Sequence, residues 1–394
     1  MGSMPRVAVV GGSLGGLTAA LLLRDLGCEV SVYERSTSEL EARGAGIAVL
    51  EATWRYPVEC LGVPASTFSS QTRWVRFVNR DGSTAHESEH PYYLSSWNAV
   101  YRVLLNGFGR DNYHLSAEVV EFQDEGDQVR IVLADGRTDC VDLLVFADGI
   151  SSTARRRLLP EVKAEYAGYI AWRGVIPEAE LTAETYGELF DTLSYQVMPN
   201  SHILVYPIPG YDGEVEPGKR LMNIVWYRNA SAEELEALLL DSNGEKRYVS
   251  VPPGLVNSQA VEEMREAARA QLAPQLCEVV ENIPEPFIQV VYDINVPQMA
   301  FGRVCIIGDA AFAARPHAAA GTAKAAEDGW ILAREIAAAD GNVLEALANW
   351  EPKQLRMGSE LIARTSEIGY RSQVANTFEP GDPSLIFGLY GPGN

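Results

Sequence analysis

Val7-Ala8-Val9-Val10-Gly11-Gly12-Ser13-Leu14-Gly15-Gly16-Leu17 decides the fold: a short apolar, β-branched run, a glycine-rich turn, and the first residues of a helical apolar pattern. That pattern continues through Ala19, Ala20, Leu22 and Leu23, and a second apolar run, Val30-Ser31-Val32-Tyr33, ends at Glu34-Arg35. Strand, turn, helix, strand and acid in this order predict one βαβ unit that holds a dinucleotide. Glycines let backbone N–H groups approach a pyrophosphate at the positive end of the helix, and Glu34 stands where a carboxylate accepts from adenosine ribose hydroxyls. Ser13 replaces the second glycine of the usual G-x-G-x-x-G. Its Cβ crowds the phosphates while its hydroxyl can bond them, so an ordinary βα turn stays open as the alternative.

Working outward, 394 residues, 47% of them hydrophobic, suffice for one large core or two ordinary ones, and two lobes are expected. Met1-Gly2-Ser3 reads as an expression scar, with Met4 as the natural start. A net charge of −21 argues against nucleic acid and anionic membranes as partners. The apolar runs are short and interrupted by charges, so no transmembrane helix or signal peptide is expected. Cys28, Cys60, Cys140, Cys277 and Cys305 are odd in number, far apart and in no CxxC pattern, and the five histidines are equally scattered. Neither disulfides nor a metal site is expected, and a cytoplasmic location fits.

Residues 72–82 read as a hairpin and 96–108 as a helix carrying Arg102. A second hairpin, 118–137, leads to a buried strand ending at Ala147-Asp148-Gly149. From residue 166 to about 290 aromatic-rich strands near 169–175, 202–207 and 222–227 predict a separate antiparallel lobe. Arg303-Val304-Cys305-Ile306-Ile307-Gly308-Asp309 returns to the style of the first strand and is expected to be a late strand of the first domain. Residues 322–339 and 343–369 read as helices, the second interrupted at Asn349-Trp350-Glu351-Pro352, with a weakly ordered tail after Tyr370.

The three separated motifs, Gly11 to Gly16 with Glu34, Ala147-Asp148-Gly149 with Ser152 and Arg155, and Gly308-Asp309-Ala310-Ala311 with Pro316, Gly321 and Asp328, together resemble the single-component FAD-dependent aromatic hydroxylases of the para-hydroxybenzoate hydroxylase fold. Within that family the runs Tyr166-Ala167-Gly168-Tyr169-Ile170-Ala171-Trp172-Arg173-Gly174, His202-Ile203-Leu204-Val205-Tyr206-Pro207-Ile208-Pro209-Gly210 and Arg315-Pro316-His317-Ala318-Ala319-Ala320-Gly321 are similar to the branch that hydroxylates hydroxypyridines such as 2,6-dihydroxypyridine. The implied fold is α/β: a Rossmann-like FAD-binding domain (residues 4–165 and 291–340, with a hairpin near 72–97 lent to the second lobe), an inserted, mainly antiparallel β-sheet substrate domain (166–290), and C-terminal helices (341–394).

The resemblance also implies roles. Gly11, Ser13, Leu14, Gly16, Glu34 and Arg35 hold the adenosine and pyrophosphate of a non-covalent FAD; Arg43 and the backbone at 44–47 flank the flavin, with Arg102 a further contact. Asp148 belongs to a turn that meets both FAD and a transient NADH or NADPH. Asp309 accepts from ribityl hydroxyls, and Ala319, Ala320, Gly321 and Thr322 aim a helix N-terminus at the flavin pyrimidine edge. The implied reaction is hydroxylation of an electron-rich (hetero)aromatic ring through a flavin C4a-hydroperoxide formed with dioxygen, in an enzyme that is expected to be a homodimer by analogy alone. His202 and Tyr206, four apart on a strand and so on one face, are candidate positioning or proton-transfer groups, as is His317. Trp172 and Arg173 read as lobe structure, with contact between Arg173 and the nicotinamide cofactor as the alternative. A flavin oxidase or dehydrogenase, a monooxygenase of another phenolic or natural-product substrate, and a non-catalytic flavin protein remain alternatives.

Overall fold

A computed structural model describes residues 4–40 and 46–394 of the chain. The apolar run Arg6–Val10 forms the middle of a six-stranded sheet. It pairs in parallel with Glu29–Tyr33 on one side and Leu143–Phe146 on the other, and Leu143–Phe146 pairs in parallel with Val304–Ile306. A strand buried on both faces needs apolar residues throughout, and Val7, Ala8, Val9, Leu143, Leu144, Val145, Phe146, Cys305 and Ile306 are all at most 1% exposed. The chain leaves the first strand to one side and returns on the other. The carboxyl ends of these strands therefore open a crevice, where ligands of open α/β sheets bind.

The helix Leu14–Asp25 crosses the helix Gly321–Ala338 at very close range. A Cβ on Gly15 would lie 2.8 Å from the Ala325 methyl and one on Gly329 would lie 3.0 Å from Ala19 Cα, so small residues at the crossing bring both helix N-termini to the crevice.

The second sheet runs, in spatial order, Ser250–Val251, Phe287–Asn295, Glu165–Pro177, Leu221–Asn229, Ser201–Ile208, Thr192–Met198, Ser70–Val78, Thr84–Ser96 and Gly46–Ala48. Its central strands are antiparallel and alternate in the expected way. Trp172, Ile203, Val205, Ile224, Trp226 and Ile288 face a core built with the helices Ser258–Gln271 and Pro274–Glu281. Leu204, Tyr206, Val225 and Tyr227 face the crevice.

Two local expectations need correction. Val343–Tyr370 is one continuous helix with Pro352 inside it. Proline removes one backbone hydrogen bond, yet Trp350 is fully buried just before it and donates its indole N–H to the Asp328 carbonyl (3.0 Å), so tertiary packing carries the helix through. The tail is likewise ordered: Phe378, Leu385, Phe387 and Leu389 are buried.

Candidate active site

A cavity of about 570 Å³ lies between the two sheets. Every motif singled out in the sequence, apart from the segment outside the described residues, opens onto it. Gly11, Ser13, Leu14, Gly15, Glu34 and Arg35 line it from the first strand–helix–strand unit; Asp148, Gly149, Thr153, Gly308, Asp309, Ala319, Gly321 and Thr322 from the second and third motifs; and Gly46, Ile47, Arg173, Tyr206, Tyr227 and Gln289 from the second sheet, with Phe387 from the tail.

The glycine turn is built for close approach. Gly11 has φ +102° and a Cβ there would stand 2.4 Å from the Ala147 carbonyl oxygen; a Cβ on Gly16, outside the cavity lining, would stand 1.9 Å from the Gly11 oxygen. Gly16 therefore seats the helix on its own turn, whereas Ser13, in extended backbone at φ −80°, caps nothing and keeps its hydroxyl for the cavity. The Glu34 carboxylate accepts from the backbone N–H groups of Gly12 and Ser36, both at 2.9 Å, and so fixes the turn as well as the strand end.

Arg155 joins the second motif to the third. It is 4% exposed, and its guanidinium donates to the carbonyls of Ala310 (2.8 Å) and Ile150. Asp148 uses one oxygen to accept from the Thr153 N–H (2.7 Å), while Oδ1 is buried without a partner. Burial raises the pKa of both Asp148 and Asp309, against the pull of Arg155 on each and of Lys324 on Asp309. Asp309 sits on a short helical turn pinned from below. Asp328 accepts from the Gly308 N–H (2.7 Å), and the Asp328 carboxylate is paired with Lys324 Nζ (2.7 Å). A glycine-rich turn at a helix N-terminus, the Glu34 carboxylate at a strand end, an unsatisfied buried Asp148 oxygen and Asp309 on the cavity fit the phosphates and polyol of FAD.

The structure separates the three candidate polar residues of the second lobe. Tyr206 is on the cavity wall, its hydroxyl donating to the Gly46 carbonyl (3.1 Å). His202 and His317 lie one layer behind, around Tyr227: the rings of His202 and His317 are 4.6 and 4.7 Å from that of Tyr227 and 5.3 Å from each other. His202 Nδ1 is 2.5 Å from the Ser372 hydroxyl, and His317 Nε2 is 2.6 Å from the Tyr169 hydroxyl. Burial lowers the pKa of His202 to about 3 and that of His317 well below its ordinary value, so both rings are neutral.

Other placements differ from expectation. Arg102 donates to the Tyr211 carbonyl (3.3 Å) and Ala320 is buried in the loop, and neither lines the cavity. Arg43 lies outside the described residues. Of the aromatic residues on this side of the chain, Trp97 is on the wall, whereas Tyr92 accepts the Phe387 N–H (3.0 Å), Tyr93 is exposed, and Trp226 is in the core on the opposite sheet face. Arg173, Gln289, Tyr227 and Phe387 are among the wall residues sequence reasoning missed. Alternation along 169–175 puts Arg173 on the opposite face from the core residue Trp172, a usable signal, whereas nothing local marks Phe387. Among the described residues no cluster of His, Cys, Asp or Glu suits a metal, and no helix is long and apolar enough to cross a membrane.

Fold and site together define a FAD-dependent aromatic monooxygenase, and the chain belongs to the FAD-dependent aromatic hydroxylase family. It is 34% identical to the 2,6-dihydroxypyridine 3-monooxygenase of Paenarthrobacter nicotinovorans over 98% of this chain and 96% of that one. The solved structure of 2,6-dihydroxypyridine-3-hydroxylase from Arthrobacter nicotinovorans superposes with a TM-score of 0.92, at 33% identity, covering 100% of this chain and 98% of that one. The 6-hydroxynicotinate 3-monooxygenase of Pseudomonas fluorescens is 27% identical over 98% of this chain and 96% of its own length. A family model described as FAD binding domain-like matches residues 166–293.

Proposed function

We propose that this enzyme hydroxylates a hydroxypyridine, with 2,6-dihydroxypyridine as the first compound to test, using FAD, NADH or NADPH, and dioxygen. The observation that carries this reading is the wall of the cavity's second-lobe end: a polar edge of Arg173, Gln289 and Tyr206 beside the apolar Leu204, Val225 and Phe387, which suits a small ring with oxygen substituents. The similarity to the Paenarthrobacter enzyme supports the same substrate class.

Bound FAD supplies the redox and oxygen-transfer chemistry. Glu34, Ser13 and the Gly11 to Gly16 turn would hold its adenosine and pyrophosphate, Asp309 its polyol, and the Gly321 helix N-terminus its electron-rich ring edge. Tyr206 orients the substrate on the wall. His202 and His317, as neutral rings packed on Tyr227, act as positioning residues for that wall. Closure by the second sheet and by Phe387 excludes water, which protects a reactive oxygen-transfer step from release of peroxide. In the same reading residues 4–165 and 291–340 hold the cofactor, 166–290 cover it and 341–394 buttress it, in a cytoplasmic homodimer whose stoichiometry sedimentation would test.

The test is a panel of hydroxypyridines, phenols and hydroxybenzoates, scored for stimulated NADH and NADPH oxidation with hydrogen peroxide measured in parallel. Tight coupling with 2,6-dihydroxypyridine and a hydroxylated product are expected. Peroxide equal to all the NADH consumed with every hydroxypyridine, or coupling with a phenol alone, would reject the substrate assignment.

A further inference from the structure

Arg173 is a half-buried cation for which the described residues provide no carboxylate at ion-pair distance. It stands on the strand Glu165–Pro177, facing the cavity. Nη1 donates to Gln289 Oε1 (3.1 Å), Nη2 donates to the Gly46 carbonyl (2.6 Å), and Nε is buried with no acceptor. Neutral acceptors occupy two of its five donors, and no carboxylate among the described residues pairs with its charge.

A guanidinium held partly out of water without a counter-ion is expensive, and buried charges are ordinarily paired. The deficit is pointed in a chain of net charge −21, where carboxylates are abundant. Arg220 and Arg315 have each taken one, with Glu178 and Asp293 at 2.7 Å, while Arg155 and Arg364 donate to backbone carbonyls away from the second-lobe wall. Among the described residues the other cation on the cavity wall is Arg35, which follows Glu34 just past the strand Glu29–Tyr33. The arrangement is that of a site whose anion arrives with the ligand.

We infer that Arg173 is the counter-ion of the substrate: it binds an anionic oxygen carried directly on the aromatic ring and so selects the ring-deprotonated form. This deepens the hydroxypyridine reading and rests on it. A ring hydroxyl that gives its proton to solvent on binding leaves an oxyanion against the guanidinium, and the freed electron pair enriches the ring carbons that an electrophilic oxygen attacks. No protein base is needed at the wall. The neutral rings of His202 and His317 lie behind Tyr227, and burial raises the pKa of the Tyr206 hydroxyl, so that it stays protonated. A nearby positive charge lowers an acid's pKa by one to three units, which is a 10- to 1000-fold preference for the anion. A ring oxyanion and a ring carboxylate share this chemistry. The direct oxyanion is favoured because the wall residues across the sheet from Arg173, Val225 and then Leu204, are apolar, so that the polar edge of Arg173, Gln289 and Tyr206 suits an oxygen on the ring itself.

The experiment titrates FAD-loaded enzyme, without NADH, with 2,6-dihydroxypyridine, a methoxypyridine that cannot ionise, and a hydroxypyridine carboxylate. It reads the ligand's own absorbance against pH, with proton release in weak buffer. Wild type should depress the bound ligand's pKa by at least one unit. Arg173→Gln should abolish the shift and weaken the oxyanion at least tenfold while leaving methoxypyridine affinity and FAD content unchanged. Arg173→Lys, which keeps the charge, should retain most of the shift and carries the test alone if the glutamine variant does not fold. An unchanged ligand pKa in Arg173→Gln, equal loss for neutral and anionic ligands, or a weakened NADH affinity as the only effect would overturn the assignment. Arg173-dependent binding of the carboxylate alone would place the anion on an appended acid and likewise overturn it. If wild type ignores hydroxypyridines but depresses the pKa of another phenol in an Arg173-dependent way, the counter-ion role stands and the hydroxypyridine reading falls. No perturbed ring ligand in wild type overturns both.

Discussion

Replacing Lys324 by methionine isolates the charge that holds the Asp309 turn. Lys324 and Asp328 are 1% and 0% exposed, and Nζ sits 2.7 Å from Oδ2. The same oxygen accepts the Gly308 N–H, and Oδ1 has no partner. Methionine keeps the length and the packing on Phe312, over which Nζ now lies at 4.7 Å, but leaves the carboxylate without its cation. Breaking a buried pair from one side costs about 3–5 kcal/mol. With an unfolding entropy of about 2.1 cal/mol/K per residue, a chain of 394 residues shifts by roughly 1.2 °C per kcal/mol, so the calorimetric midpoint should fall by about 4–6 °C at pH 8. The sign of the pH dependence follows from Asp328, whose pKa burial already raises above the unfolded value and which rises further without Lys324. Protonation then relieves the buried charge, so the deficit should shrink as pH falls toward 5 and widen as pH rises. FAD affinity should drop with stability, because the Gly308 anchor loosens. Lys324→Met/Asp328→Asn, which removes both charges and keeps an acceptor for Gly308, should recover most of the loss. A single variant within about 1 °C of wild type, or a double variant no better than the single, would refute the reasoning.

Asp309→Ala should weaken FAD by about 10- to 150-fold, the worth of one hydrogen bond to a charged group at 1.5–3 kcal/mol, as read by flavin fluorescence on release. His202→Gln should keep its FAD yet lose coupled hydroxylation, since the ring packed on Tyr227 is gone; matching FAD loss in both variants would show that the division of roles is wrong. Because burial lowers the His202 pKa to about 3, the unfolded chain binds the extra proton, and wild type should lose stability as pH falls from about 6.5 toward 3. His202→Gln lacks that contribution, so its denaturation midpoint should fall less steeply with acid over the same window. Phe387→Ala should raise kcat/KM for ring-alkylated substrates relative to the parent and release more peroxide, by opening a wall held through the Tyr92 hydroxyl; an unchanged substrate ratio would mean that the tail does not limit size.

The parallel half of the molecule was legible because a two-sided buried strand leaves an unmistakable apolar run, and because Gly11, Glu34, Asp148 and Asp309 each follow such a run directly. Alternation along residues 202–206 correctly placed Tyr206 and His202 on one face. It could not say that Tyr227, from the neighbouring strand, would screen the histidine from the cavity, since cross-strand neighbours depend on register. For Arg173, alternation sets the side chain opposite Trp172, but that no described carboxylate pairs with it depends on neighbouring strands and is visible only in three dimensions. Pro352 misled through a sound local rule, overridden by the buried Trp350. The tail's Phe387 reaches the site through a contact with a residue far away in sequence, its N–H donating to the Tyr92 hydroxyl, while the next residue, Gly388, donates its N–H to the Ala318 carbonyl.

The measurement that bears most directly on the account is a crystal structure of the enzyme with FAD and 2,6-dihydroxypyridine, prepared without oxygen. The account predicts one continuous occupant of the cleft, with adenosine ribose at Glu34, the polyol at Asp309, the flavin edge at the Gly321 helix, and a ring oxygen on Arg173 beside Tyr206. Flavin bound elsewhere, or a substrate ring whose oxygens face away from Arg173, would contradict it.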